Sequence, residues 1–503
     1  MIMKNFVKAF ICLAALMNIK IAFATPNQTD TVNTVISQSG LPFSVVISLA
    51  NFRLPVGYHS GAFGTYKGLW VILAGRINGL HGFDPTNNFP PDKQNTNVYV
   101  IDPNKGIVYT RSLTDPSSGL TQAQIETLTV TSPESFQQGD TLFMAGGYGV
   151  DTANATFSTK PILTAINLPG IITWVMTGKG SVAKNIRQLT NPIFQITGGA
   201  MYRLGNMTQL VFGQNFAGQY TDTSNGDYSQ QVRQFKINDN GTKLSVDIYN
   251  SMPGAPNPNF RRRDLTVLPT LLNNNQTLQF GLIAFAGVFT VDSGVWTVPV
   301  TINGVNDPVM ADPNLPTSFK QAMNQYVTAS ASLYSRATSS MYHIFFGGAS
   351  YGYFDNGTFT TDDEIPFINQ VTTVQMDQNG NFTQYLMDNQ YPTIVSTGSN
   401  PGNTLLFGAG ARFIESIIPT YPNKVINLDG ITKPTVIGHI IGGIMSTLPN
   451  TNTQSDSAAS PYVFTVTLVP RTKMPTKQDF SPVALAHVEE PKPQGLKFVA
   501  HVE

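Results

Sequence analysis

Arg76 and His81 stand just after an apolar run that ends in glycine, and Arg261-Arg262-Arg263-Asp264 opens a later segment of the same kind. Guanidinium groups gathered at one centre hold a carboxylate through paired N–H donors, which suits a carboxylated sugar or an acidic peptide. Asp264 is also a ready partner for Arg263, so structural pairing is the plainer reading. Tyr148, Tyr351 and Tyr353 follow two further glycines, in stretches rich in Asn, Asp, Thr and Gly. Aromatic faces stack on the C–H faces of sugar rings, while neutral amides and hydroxyls take their directional hydrogen bonds. Arg76, His81, Tyr148, Arg263, Tyr351 and Tyr353 are therefore the candidate ligand contacts.

Catalytic chemistry has less to stand on. No G-x-S-x-G, H-E-x-x-H or P-loop pattern occurs, and His59-Ser60 has no acid that sequence can place beside it. Asp362-Asp363-Glu364 lacks the alternating spacing of a calcium loop and reads as a solvated turn. His343 and His439 sit in apolar runs and read as core histidines. Arg203, Arg336 and Arg412, placed late in inner strands, are expected to be structural and to face the opposite opening. No catalytic residue, metal or cofactor is assigned.

The elements that must position these residues follow from composition and repetition. The 503 residues include 43 Gly and 33 Pro, with 41% apolar and only 12% charged, which favours a large β-rich core over coiled coil or disorder. Thirty basic residues balance thirty acidic ones, so no global field gathers phosphates and nucleic acid is not an expected partner. Lys4 and Lys8, the apolar run Ala9 to Ile19 and Ala22-Phe23-Ala24 form a secretory signal, residues 1–24, cut before Thr25. Cys12, the only cysteine, lies within it, so the exported chain has no disulfide and no thiolate site. No later apolar stretch reaches the roughly 18 residues of a membrane helix. A monomer in the periplasm or outside the cell is expected.

A short apolar strand ending in a small residue plus glycine recurs six times, with terminal glycines at 75, 147, 213, 287, 348 and 443. Each is followed by a polar stretch and an alternating strand: Val98 to Asp102, Ile162 to Asn167, Val232 to Asn238, Val295 to Ile302, Val371 to Asp377 and Tyr462 to Val469. Outer strands such as Ile107 to Leu113, Leu244 to Tyr249 and Phe382 to Met387 follow tight turns, although the fourth unit shows none clearly. Inner strands such as His59 to Phe63, Phe194 to Arg203 and Ala329 to Tyr334 precede the glycine-ended runs. Six four-stranded antiparallel units predict an all-β, six-bladed β-propeller. Phe43 to Leu49 stands alone before the first unit and is expected to complete the last blade, closing the ring. The organisation is then a linker (25–41), the propeller (42–472) and a disordered tail (473–503). Ser318 to Gln325 is the best short helix candidate, of no assigned function.

The order of a diglycine closing the second strand, Val-Tyr-Val-Ile-Asp at 98–102 in the third, and Tyr109 or Trp174 in the fourth resembles the kelch repeat across roughly residues 42–472. The diglycine is strict at Gly146-Gly147, Gly347-Gly348 and Gly442-Gly443 only. The resemblance implies ligand contacts on the loop face that follows the glycines. It also raises specific enzymes. Galactose oxidase-like copper chemistry needs a cysteine crosslink that the exported chain cannot supply, and sialidase-like Asp-box turns are absent. Periplasmic kelch proteins that mutarotate sialic acid resemble the chain in architecture only. The expected function is an exported, non-catalytic protein that binds a glycan or protein ligand. The alternative is a carbohydrate-active enzyme such as a sialic acid mutarotase-like isomerase, with Arg76, His81 and Arg263 as its polar centre. An enzyme should converge charged groups at one funnel mouth, whereas a binding module should spread contacts over the loop surface.

Overall fold

Each glycine-ended run is the second strand of an antiparallel sheet in the computed structural model, which describes residues 35–37, 40–82, 88–221, 226–274, 277–292, 294–451, 455–471, 485–486 and 497–499. The first blade is Ala62–Tyr66, Leu69–Leu73, Asn97–Asp102 and Ile107–Ser112. The second is Glu134–Gln138, Thr141–Ala145, Ile162–Asn167 and Ile186–Thr190. The third is Ala200–Leu204, Met207–Val211, Val232–Asp239 and Leu244–Ile248. Blade four has a long inner hairpin, Thr266–Asn274 and Thr277–Phe285, but short outer strands, Val300–Ile302 and Val309–Met310. Blade five is Ala329–Ser335, Ser340–Ala349, Phe367–Met376 and Phe382–Leu386. The chain is a six-bladed all-β propeller.

Chain start and chain end meet in blade six. Ala411–Glu415, Thr435–Gly442 and Tyr462–Pro470 are joined by Phe43–Arg53 as the outer strand. Its register runs from Phe43 opposite Pro470 to Leu49 opposite Phe464, which is the expected closure. Most of the expected signal, linker and tail (1–24, 25–41 and 473–503) lies outside the described residues. Val35–Ser37 runs parallel to the outer strand of blade five. Among the described residues no helix is long and apolar enough to cross a membrane.

The small-plus-glycine signature has a conformational cause. Both residues of the pair carry positive φ in every blade: Ala74 and Gly75 (61° and 80°), Gly146 and Gly147 (64° and 84°), Phe212 and Gly213 (56° and 80°), Ala286 and Gly287 (49° and 99°), Gly347 and Gly348 (64° and 94°), and Gly442 and Gly443 (68° and 89°). The turn aims the second N–H at the next blade. Gly75 donates to Val130 O, Gly147 to Ile196 O, Gly213 to Arg262 O, Gly348 to Phe407 O and Gly443 to Tyr58 O, at 2.7–3.0 Å. The last of these joins blade six to blade one.

A second ring lies closer to the axis, just before the inner strands. Ser60, Ser132, Gly198, Asp264, Val327 and Gly410 all have φ between 48° and 69°. Ser132 N donates to Ser60 O, Gly198 N to Ser132 O, Asp264 N to Gly198 O, Gly410 N to Val327 O and Ser60 N to Gly410 O, at 2.6–3.2 Å. This neck explains two displaced strand starts. The inner strands begin at Ala62 and Ala200 rather than at His59 and Phe194, because a left-handed residue interrupts the extended backbone first.

Other differences are equally local. Val295 to Ile302 shortens to Val300–Ile302 because Pro299 supplies no ladder donor and the Trp296 ring N–H donates to Arg261 O at 2.6 Å. Ser318 to Gln325 is not a helix. Its amides reach the backbone instead: Ala286 N donates to Gln321 Oε1, Tyr351 N to Asn324 Oδ1, and Gln325 Nε2 to Gly347 O and Gln370 O, at 2.8–3.1 Å. Trp174 lies on a helix, Leu168–Thr177, and not in an outer strand. Asn167 caps that helix by accepting from Gly170 N, and Ile171, Trp174 and Val175 bury against blades one and two.

Two ionisable side chains, Arg412 and Glu134, lie beside the neck. Arg412 is the second residue of its strand, at the neck end, which corrects the expectation that it sits late and faces the opposite opening. Its NH2 reaches Gly61 O at 3.4 Å. Glu134, 1% exposed, accepts from Gly199 N at 2.8 Å, while its Oε2 has no partner among the described residues. Burial raises Glu134 well above the ordinary 4.5, against weaker lowering by Gly199 N–H and Arg412. The native state therefore keeps a proton that the unfolded chain releases above pH 4.5, so stability falls as pH rises from there to the folded pKa. Glu134→Gln is expected to remove that fall, worth up to about 1.4 kcal/mol per pH unit in the window. Urea midpoints from pH 5 to 8 should show the variant gaining on the parent as pH rises; parallel profiles would contradict a neutral Glu134.

Candidate functional site

The stretches after the glycines, expected as loops, mostly fold as hairpins that crown one face. They pair Tyr148–Asp151 with Thr156–Thr159, Gln214–Asn215 with Asp227–Tyr228, Gly352–Asp355 with Thr358–Thr361, and Ile444–Ser446 with Ser457–Ala459. In blade one the corresponding stretch turns inward through a 3-10 turn at Pro91–Lys93. It carries Phe89 and His81 toward Tyr220 of blade three.

Four of the six expected contacts meet here, but as interior groups. Arg76 is 2% exposed; its Nε donates to Asn78 Oδ1 and its NH2 to Pro90 O, both at 3.0 Å, and it stands 5.0 Å from the Phe89 ring centre. His81 stacks on Phe89 at 4.9 Å and meets the edge of Tyr220 at 4.8 Å. Its Nδ1–H donates to Gly82 O at 2.8 Å. Burial lowers His81 to about 4 despite that bond, so the ring is neutral near pH 7. Tyr148 is buried, and its hydroxyl donates to Gly218 O at 2.7 Å.

Arg263 donates from NH2 to the Tyr220 hydroxyl at 3.1 Å and lies 3.7 Å from Asp264. Its guanidinium faces Tyr220 and Phe289, 5.4 and 5.3 Å from their centres. Burial is the largest single influence and opposes the charge, but Asp264, Tyr220 and Tyr228 together outweigh it and hold Arg263 above its ordinary value. Asp264 is thus the structural partner that the sequence offered. Tyr351 and Tyr353 are half-buried on the blade-five hairpin, and among the described residues no ring contact joins them to this cluster.

The centre is therefore an aromatic plug of Phe89, Tyr148, Phe157, Phe216 and Tyr220. Phe89, Phe157, Phe216 and Tyr220 were not read from sequence as site residues. Aromatics in the first three post-glycine stretches are the signal that would have found them. Beside the plug, at the surface, lies a cavity of about 310 Å³ whose lining includes Pro91, Asp151, Thr152, Thr156, Phe157 and Gln219. Glu126 and Lys160, buried and 3.4 Å apart, hold its hairpin from behind, and Thr152 N donates to Glu126 Oε1. Asp151 Oδ2 accepts from Asn154 Nδ2 and Ser158 Oγ, both at 3.0 Å, and the Asn154 bond leads in holding the carboxylate below its usual range.

The opposite opening is covered differently. A segment between the first two strands of blade six places Ile426–Asn427 parallel to the inner strand of blade five. Asp429 accepts from Ser335 Oγ and Arg336 N, both at 2.7 Å, and Asn423 Nδ2 donates to Thr270 O at 3.0 Å. His343 is fully buried in a bond with Ser332 Oγ at 3.0 Å, and His439 lies 5.1 Å from Trp70. In the acidic turn Asp362 Oδ2 accepts from Asn450 Nδ2 at 2.8 Å. Among the described residues no cluster of His, Cys, Asp and Glu is placed to hold a metal.

These features define a six-bladed β-propeller with a crowned face. No protein-family model matches the chain, so the kelch resemblance rests on the repeat pattern, and no curated protein matches it either. Among solved structures, the structure of YjhT is similar over 82% of this chain and 96% of its own, at 11% identity and a TM-score of 0.43.

Proposed function

We propose that the protein is an exported, non-catalytic receptor that holds a glycan on the crowned face of the propeller, in the cleft beside the aromatic plug. The observation that carries this reading is the composition of the cleft. Phe157 and Pro91 offer apolar faces, while Asp151, Thr152, Thr156 and Gln219 offer acceptors, hydroxyls and an amide. The isomerase reading is weaker, since Arg76, His81 and Arg263 are packed into the interior under Phe89 and Tyr220 rather than presented to a substrate.

A glycan array probed with the full exported chain tests this. Phe157→Ala is expected to weaken the best glycan about tenfold, the loss of one ring contact worth roughly 1–1.5 kcal/mol. No glycan binding by folded protein, or equal binding by the variant, would sink the reading. Capture of a protein ligand on the same face would replace it.

A further inference from the structure

A second cavity of about 310 Å³ lies between blades two and three, away from the crown cleft, and its lining includes Ile193, Arg233, Ile248, Tyr249 and Ser251. Arg233 is the second residue of the third strand of blade three, and Ile193 comes from the segment that joins blade two to blade three. One guanidinium nitrogen, NH1, donates to Ile193 O at 2.8 Å and so fixes the side chain in the cleft. Among the described residues Arg233 makes no ion pair; the pairs present are those of Lys93, Lys105, Arg111, Lys160, Arg187 and Arg263. Burial opposes its charge, and the interior carboxyl Glu134 is kept protonated by its own burial. A partly buried cation held by one neutral acceptor gains most from a bound anion, because the guanidinium fork still has N–H donors to offer.

The walls narrow the choice of anion. Ile193 and Ile248 supply apolar surface, Tyr249 a ring and Ser251 a hydroxyl. A phosphate dianion calls for several cations or a nest of backbone N–H groups. One guanidinium with one hydroxyl matches a carboxylate, and the volume is at the lower end of small-molecule sites. We propose that this cleft binds the carboxylate of a small organic acid with a compact apolar body, the carboxylate on Arg233 and Ser251 and the body against Ile193, Ile248 and Tyr249. A free acid and the terminal carboxylate of a peptide share that chemistry.

Ligand-observed NMR on the full chain, with benzoate as probe and benzamide as its neutral match, tests the assignment. Saturable binding of benzoate without binding of benzamide is expected. Arg233→Met should weaken it at least about tenfold, a loss of about 1.4 kcal/mol. Because that change also frees Ile193 O, Ser251→Trp is the second variant: it fills the cleft without touching the Arg233 bond, and the same weakening is expected. A short peptide ending in phenylalanine, with a free or an amidated terminus, separates the sources. Binding by the free-terminus peptide points to a chain end, and binding by benzoate alone points to a free acid. The proposal is overturned if neither carboxylate saturates below about 10 mM, if benzamide binds as well as benzoate, or if both variants keep full binding.

Discussion

Replacing Gly442 by alanine is expected to destabilise the propeller by about 2–5 kcal/mol, the sum of an overpacked contact and a left-handed residue with a side chain. Gly442 has φ of 68°, and a Cβ there would stand 2.3 Å from the carbonyl oxygen of Tyr58. That oxygen accepts the 2.8 Å bond from Gly443 that joins blade six to blade one. It cannot give way easily, since Tyr58 is 1% exposed and packed with Trp70, Tyr99 and Ile441. Gly241 supplies the control. Its φ is 89°, but a Cβ there would meet nothing within 4 Å, so Gly241→Ala carries only the conformational cost of about 1–2 kcal/mol. Urea unfolding of the two variants decides the matter. Equal losses would mean that the first residue of the blade-six pair is glycine for its conformation alone and not for the approach of the next blade.

The same signature explains how much could be read from sequence. Gly75, Gly147, Gly213, Gly287, Gly348 and Gly443 were legible because a left-handed residue packed closely against the neighbouring chain favours glycine strongly. Phe212, with φ of 56°, shows that the first member of the pair is less constrained; its ring stacks on Phe260 at 5.3 Å. Closure by Phe43–Arg53 was legible from the count of strands at the two ends. The crown hairpins were not. Thr358–Thr361 is largely exposed and lacks the alternation that marks a half-buried strand. Gln321, Asn324 and Gln325 read as helix because the backbone groups that their side-chain amides bond are distant in sequence.

The candidate site was legible in its members and not in their roles. Arg76, His81, Tyr148 and Arg263 do converge. Whether a converging arginine faces solvent or packs inside depends on what covers it, here Phe89 and Tyr220. Tyr220 belongs to another blade from Arg76, and no local pattern announces the meeting. Once covered, these groups brace the crown from within.

Breaking the tie between Arg187 and Asp239 is expected to cost about 3–5 kcal/mol, because one partner removed leaves the other charged, buried and alone. Arg187 Nε donates to Asp239 Oδ1 at 2.7 Å and NH2 donates to Oδ2 at 2.6 Å, a forked pair whose side chains are 7% and 8% exposed. It fastens the outer strand of blade two to the third strand of blade three, which carries Asp239 at its end. Asp239 also accepts from Gly241 N at 3.1 Å, so Asp239→Asn is the cleaner change: an amide oxygen can keep the turn bond while the charge is lost. Arg187→Met removes the other side and keeps an apolar stem in place. If the loss comes from stranded charge, the double variant should be much less unstable than the two single losses added together, with a coupling of roughly 1–3 kcal/mol. Additive losses would show instead that each side chain contributes through packing alone. Glycan binding below the unfolding range should be unchanged in all three variants, since the pair lies beyond the crown and touches none of the groups that line its cleft.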